Sequence, residues 1–222
     1  MNINVVVDNN VRTLAMAEMD HEKLQNISNM LFIKCGPGIG SAIVIDREIY
    51  RGTHNIAAEI GHTIVEINGE ICKCGKVGCL ETVASPEAIN RKIKKNFSKQ
   101  RMPILYKLCK EDIANLSTNN VIKSSEQGDE EVIKIVTKAA TYMALGISNA
   151  ITIIDPHKLV LYGEMFKNKI FMEIFKEELN KNLTECDLKN IISYSTLNNS
   201  PIYIGGIALA IREFFFRTGA MD

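Results

Sequence analysis

Three cysteines lie within eight residues of one another, in Cys72-Lys-Cys74-Gly75-Lys-Val-Gly78-Cys79, and His62 stands ten residues upstream. Together they supply four soft or borderline donors, the number a tetrahedral zinc ion takes. Gly75 and Gly78 let the backbone turn sharply enough for three thiolates to converge. The alternative is a set of free thiols beside an unrelated histidine. Ligand count and turn residues favour a structural Zn2+ held by His62, Cys72, Cys74 and Cys79. Cys35, Cys109 and Cys186 have no such company and read as core or surface thiols.

Two acids flank this cluster. Glu59 lies three residues before His62, and Glu81 two residues after Cys79. A metal that holds His62 and Cys79 also fixes where Glu59 and Glu81 point. Two carboxylates and an imidazole so arranged can bind a polyol, because ionised carboxylates are strong acceptors for hydroxyls. From spacing alone, solvated surface acids are the simpler reading. Cys35-Gly36-Pro37-Gly38-Ile39-Gly40 could offer backbone N–H groups to a phosphate, although a glycine-rich hairpin turn explains it equally well. Without a following helix it is not the dinucleotide fingerprint, and without Lys-Ser/Thr it is not a Walker loop. Residues 91–110 hold eight basic residues and no acidic one, which suits either a phosphate-binding surface or, more simply, a solvated helix face.

The elements that must position these residues can be read from periodicity. Val5-Val6-Val7 predicts a short strand, and Asn9 or Asn10 can cap a following helix that carries Val11, Leu14 and Ala15. Segments 31–34, 42–45 and 48–50 predict an antiparallel meander, and residues 52–79 predict irregular structure. Ser85-Pro86-Glu87 predicts a helix over 86–97. The acids 129–131 open a long helix with an apolar stripe through Val132, Val136, Ala139, Met143 and Ile147, which ends near Asp155-Pro156. A buried strand at 159–162, a helix over 171–182, a strand at 191–194 and a helix over 203–216 complete an α/β pattern.

Composition bounds the class. In 222 residues, 46% are apolar and 23% charged, and the mean hydropathy is zero, so a globular chain burying about 70% of its extended surface is expected. Lys plus Arg and Asp plus Glu are equal at 26 each, which leaves no overall field for nucleic acid or an anionic membrane. MNINVVVDNN has no basic stretch followed by an apolar one. The most apolar stretch, 139–154, carries Thr141, Ser148, Asn149 and Thr152 and is shorter than the roughly 20 apolar residues a span needs. A cytoplasmic location is expected.

These pieces resemble the ROK family, named for repressor, open reading frame and kinase, over nearly the whole chain. VDNNVRTLAMAE looks like the family's sugar-contact segment, and GPGIGSAIVIDREIYRG like its second glycine-rich loop and hairpin. AAEIGHTIVEINGEICKCGKVGCLE looks like its sugar and zinc signature, within residues 52–82. IIDPHKLVLYGEMF and PIYIGGIALAIREFFF look like the later segments bordering the nucleotide cleft. The resemblance implies the C-terminal lobe of a ribonuclease-H-like, actin-like ATPase fold: an α/β mixed sheet flanked by helices, with an inserted zinc-binding loop.

It also implies zinc on His62, Cys72, Cys74 and Cys79, and a sugar on Asn9, Asn10, Glu59, His62 and Glu81, with His62 serving both through its two nitrogens. Gly36, Gly38, Gly40 and Gly163 would border a nucleotide, ATP with Mg2+, only if kinase chemistry were retained. Family members commonly self-associate, so a homo-oligomer is expected, as is no nucleic-acid binding by this chain alone. Three departures bear on activity. The kinases carry aspartate where this chain has Asn10, and an amide cannot take the proton from an attacking hydroxyl. Pro37 replaces the threonine usual in the kinases' loop. The Asp-x-Gly-x-Thr phosphate loop of an N-terminal lobe does not occur, nor does a helix-turn-helix segment. The expectation is a sugar-binding, kinase-inactive sensor lobe of a transcriptional regulator. The alternatives are a hexose kinase fragment and a zinc-stabilised dimerisation domain presenting Phe214, Phe215 and Phe216.

Overall fold

The structure, a computed structural model, describes residues 3–20, 24, 26–183, 188–199 and 203–217. Helix α1 (Asn10–Met19) precedes three strands, β1 (Met30–Cys35), β2 (Ile39–Ile45) and β3 (Glu48–Ile49). These form the expected antiparallel meander. Five helices follow: α2 (Leu80–Ala84), α3 (Pro86–Asn96), α4 (Pro103–Leu108), α5 (Thr118–Glu126) and α6 (Glu130–Ile154). The remainder alternates as β4 (Lys158–Tyr162), α7 (Lys169–Asn182), α8 (Leu188–Ile191), β5 (Ile192–Tyr194) and α9 (Ile204–Ile211), with a π-helical turn at Arg212–Arg217.

The sheet has the order β3-β2-β1-β4-β5, with β1 antiparallel to β2 and parallel to β4. Helices cover both faces, which is why β1 and β4 are apolar at almost every position instead of alternating. Leu31, Ile33, Leu159 and Leu161 face the layer built by α2, α3, α6 and α7. Met30, Phe32 and Val160 face α1 and α9. Register on β1 is therefore fixed from both sides, since a one-residue slip would exchange the two sets.

Helix α6 stops where Asp155 enters the left-handed region at φ 47°, just before Pro156. No described helix is long and apolar enough to cross a membrane. The final helix extends through Phe214 and Phe215. Phe215 is exposed, and the Phe216 side chain lies outside the described residues, as does Cys186.

One expected element does not form. Residues 3–9 have no regular structure, and Val5 and Val7 are 79% and 87% exposed. A β-branched run makes a strand only if a neighbour supplies a ladder, and both sheet edges, β3 and β5, lie elsewhere.

Candidate functional site

Residues 71–77 form a tight hairpin. The Cys72 N–H donates to the Lys76 carbonyl at 2.8 Å, the Gly75 N–H donates to the Cys72 carbonyl at 2.9 Å, and Ile71 bridges Val77. Gly78 has φ +75°, and a Cβ there would lie 1.7 Å from the Glu66 carbonyl oxygen, so only glycine fits. A second bridge, Ile64 to Cys79, carries the last cysteine alongside the His62 segment. The donor atoms of His62, Cys72, Cys74 and Cys79 consequently lie within 4.8 Å of one another.

Cys72 Sγ is 3.6 Å from His62 Nδ1, and Cys74 Sγ is 3.6 Å from Cys79 Sγ. Bonds of about 2.3 Å to sulfur and 2.0–2.1 Å to nitrogen give a tetrahedron whose edges are about 3.6–3.8 Å, so both distances suit zinc. The Lys76 backbone N–H holds the Cys74 thiol below its ordinary range, whereas burial pushes Cys79 up to about 12. Nδ1 of His62 faces the thiols, which leaves Nε2 for another partner.

The carriers of the other polar residues meet on β2. Asn9 Oδ1 accepts the Val11 N–H at 2.8 Å and caps α1, leaving the side-chain NH2 of Asn9 as a donor. Asn10 opens the helix and is exposed, and Val11 packs directly over Gly40. Glu81, in the first turn of α2, accepts the Ile39 N–H on Oε2 at 2.9 Å. The turn Ile60–His62 backs onto the same residue: a Cβ at Gly61 would lie 2.0 Å from the Ile39 carbonyl oxygen. Glu59, just before that turn, is exposed and its carboxylate makes no hydrogen bond among the described residues. Ile39-Gly40 is thus the platform on which α1, the His62 turn and α2 converge.

The glycines divide between two sites. Gly36 and Gly163 line a cleft of about 780 Å³ at the carboxyl ends of β1 and β4, whereas Gly38 and Gly40 lie beneath Glu81 and Val11.

Sequence reasoning missed the clamp behind Asn9 and Asn10. Asp8 pairs with Arg51 at 2.5 Å and with Arg12 at 3.6 Å, while Arg12 donates to Asn55 Oδ1 at 2.9 Å and to the Asn55 carbonyl at 2.6 Å. This ties the loop leading to Glu59 onto α1. Its only local signal was the Asp8/Arg12 spacing of four. The same contacts occupy the Asp8 carboxylate, whose side chain is 6% exposed. Also unforeseen were the braces of the cysteine loop: Glu66 to Lys138 (2.8 Å) and Tyr142 (3.1 Å), and Glu70 to Arg91 (2.7 Å).

Residues 1–213 match the sequence model of the ROK family. The chain is a ROK-family protein. Its relatives include both regulators and enzymes. It is 27% identical to a xylose repressor of Caldicellulosiruptor bescii over 214 residues, covering 96% of this chain and 53% of the repressor. It is 33% identical to a glucokinase of Halalkalibacterium halodurans over 164 residues, covering 73% of this chain and 49% of the kinase. A ROK family glucokinase from Streptomyces griseus, solved in complex with glucose and AMPPNP, shares the fold with a TM-score of 0.79 at 22% identity, over 92% of this chain and 67% of that one. The mixed sheet flanked by helices is therefore of the actin-like ATPase kind. This ROK chain spans about half the length of the curated relatives it matches.

Proposed function

We propose that this ROK chain is a sugar-sensing lobe of a transcriptional regulator, stabilised by zinc on His62 Nδ1, Cys72, Cys74 and Cys79, and that it binds sugars without phosphorylating them. The observation that carries this reading is Asn10. It occupies the first, exposed position of α1, where the kinases of the family carry their base, and its neighbour Asp8 is committed to Arg12 and Arg51. A general base is commonly worth about 10²–10⁴ in rate, and an amide supplies none of that near neutral pH. An amide still donates to and accepts from a hydroxyl, so recognition survives where proton transfer does not.

In this reading the sugar lies over Ile39-Gly40. Glu59 and the free Oε1 of Glu81 accept from hydroxyls, the Asn9 and Asn10 amides donate, and His62 Nε2 completes the set. Zinc orients His62 without touching the sugar. The kinase reading draws on the Halalkalibacterium glucokinase, which is more identical to this chain than the repressor but over a shorter stretch. Calorimetry of the purified chain with hexoses, amino sugars and xylose, combined with a sugar-phosphate assay with ATP and Mg2+, separates the two. The sensor reading expects saturable sugar binding that Glu81→Ala lowers at least tenfold, and no sugar phosphate. ATP-dependent product formation that Asn10→Ala abolishes would establish the kinase.

A further inference from the structure

We propose that Arg12 is a positioning residue of the sugar site: its guanidinium sets the spacing between the Asn9 and Asn10 amides on α1 and the Glu59 carboxylate on the neighbouring loop, and through that spacing it sets which sugars are accepted. The proposal rests on the sugar-binding part of the reading above. It is indifferent to whether the chain senses or phosphorylates.

The segment from Gly52 to Glu59 has little of its own to fix it. Thr53, His54, Asn55 and Ile56 are exposed, and the backbone bonds it makes near its start are long: the Asn55 N–H donates to the Gly52 carbonyl at 3.4 Å and the Ala57 N–H to the Arg51 carbonyl at 3.2 Å. Its path is nevertheless sharply defined. Asn55 has φ 62° and Ala58 has φ 68°. Asparagine tolerates the left-handed region, but the Cβ of alanine crowds a carbonyl oxygen there, so Ala58 keeps that conformation only because contacts from outside impose it. Glu59 follows with φ −78° and ψ 54°, at the centre of a three-residue turn that the Ile60 N–H closes on the Ala58 carbonyl at 2.8 Å. These two backbone states decide where the Glu59 side chain starts. Its carboxylate makes no hydrogen bond among the described residues, so nothing else aims it.

Two anchors impose the path. Ser41 on β2 donates its hydroxyl to the Ala58 carbonyl, which ties the loop to the sheet. Arg12 on α1 grips Asn55 twice, with Nη1 on Oδ1 at 2.9 Å and Nη2 on the carbonyl at 2.6 Å, which ties the loop to the helix. Asp8 closes the frame. It pairs with Arg51 at 2.5 Å and with Arg12 at 3.6 Å, and its Oδ1 accepts the Asn9 N–H at 2.7 Å. Arg12 therefore stands between the two halves of the sugar set: Asn9 and Asn10 begin its own helix, and Asn55 leads to Glu59 four residues on. The Arg12 side chain is 6% exposed, so water competes little for its hydrogen bonds. A sugar ring presents its hydroxyls in a fixed axial or equatorial pattern. Donors and acceptors at a fixed spacing match one pattern and leave another partly unpaired, whereas a slack loop follows either.

The test is calorimetry of the full chain purified with Zn2+ against glucose, mannose, galactose, N-acetylglucosamine and xylose, with the melting temperature and zinc content of each protein. Arg12→Lys keeps the charge beside Asp8 and loses the fork. It should weaken the tightest-bound sugar at least tenfold and bring the affinities of the panel to within about fivefold of one another, with zinc unchanged. Without sugar, its Glu59 and His62 amides should already shift while those of α6 stay in place. Ala58→Gly removes the strain and no hydrogen bond. It should melt at the same temperature or higher, yet weaken the same sugar about fivefold and flatten the same preference. A brace that merely held the fold together would move affinity and stability in the same direction. Should Arg12→Lys fail to fold, Ala58→Gly decides alone. Sugar preferences that survive in the folded variants, or affinity that falls only in step with melting temperature, would overturn the proposal while leaving the sugar site standing. A parent that binds none of the five sugars would overturn the sugar-binding reading itself, and this proposal with it.

Discussion

Residues 52–79 contain one turn of 3-10 helix and two isolated bridges, and Ile56, Ile64, Ile67 and Ile71 within them are 57–86% exposed. In the layer of α6, β4 and α7, by contrast, Val136, Met143, Ile147, Leu161, Phe171 and Phe175 have no exposed surface at all. The layer takes its shape from apolar burial, which is strong but not directional. The loop has little to bury and is held by contacts with defined geometry: the Arg12 fork on Asn55 and the pairs made by Glu66 and Glu70, beside four His/Cys donors gathered closely enough to hold a metal ion. Directional contacts fix atoms more tightly than burial does, and the residues assigned to recognition are attached to that loop and its borders.

On the proposed zinc reading, the comparison is broken most severely by removing the metal. Cys79→Ser, or a chelator applied to the parent, should cost several kcal/mol and release the loop, because ligation and folding are coupled in a structural site. Hydrogen exchange is expected to show amides in 52–79 losing protection while those of α6 and β4 keep theirs. Metal analysis should find one zinc in the parent and none in the variant. The opposite break is Phe171→Ala. Its ring packs against Phe166 at 5.9 Å and Phe175 at 6.3 Å, so truncation should cost about 3–5 kcal/mol in denaturant unfolding. Here stability should drop globally with zinc content unchanged.

The two regions also differed in how far the sequence revealed them. The layer was legible because its signals are local: α6 announced itself by acids 129–131, an apolar stripe and Asp155-Pro156, and β1 to β3 by their turns. The cysteine cluster was legible for the same reason, being nearly contiguous. Contacts joining distant residues were not. Glu18 is buried with Oε2 on the Ser195 hydroxyl at 2.5 Å and Oε1 on the Thr196 N–H at 2.9 Å, a pairing across 177 residues. Helix α4 was unforeseen since its cap is remote: Asp129, at the start of α6, accepts the Ile104 and Leu105 N–H groups at 3.1 and 3.0 Å. The Val5–Val7 run shows the converse error, a local signal that lacks the partner it needs.

Gly61→Ala strikes the junction between the regions. Its Cβ would collide with the Ile39 carbonyl, so β2 and the His62 turn must separate. A cost of about 1–3 kcal/mol is expected. The diagnostic result is a loss of sugar affinity with zinc retained, since His62 and Glu81 would no longer share one platform.

The smallest effect isolates the charge component of the loop's attachment. The Lys138 ammonium, then the Tyr142 hydroxyl, hold the Glu66 carboxyl below the usual carboxylate range, against an opposing push from its partial burial. A carboxyl whose folded pKa lies below its unfolded value contributes stability above the unfolded value, about 4.3, and loses that contribution as pH falls through the folded one. Glu66→Gln removes the charge and keeps an oxygen for Tyr142. Because Lys138 is about half exposed, the variant should cost under about 1 kcal/mol near neutrality. The gap between parent and variant should close as pH falls through the depressed folded pKa of Glu66, below which Glu66 is itself neutral. Acid also protonates the metal donors, but it does so equally in both proteins, so the difference between their unfolding free energies at each pH reports on Glu66 alone. A gap that stays unchanged down to the lowest pH at which both proteins remain folded would mean that Glu66 holds the loop by shape, and that charge is not what fastens it to α6.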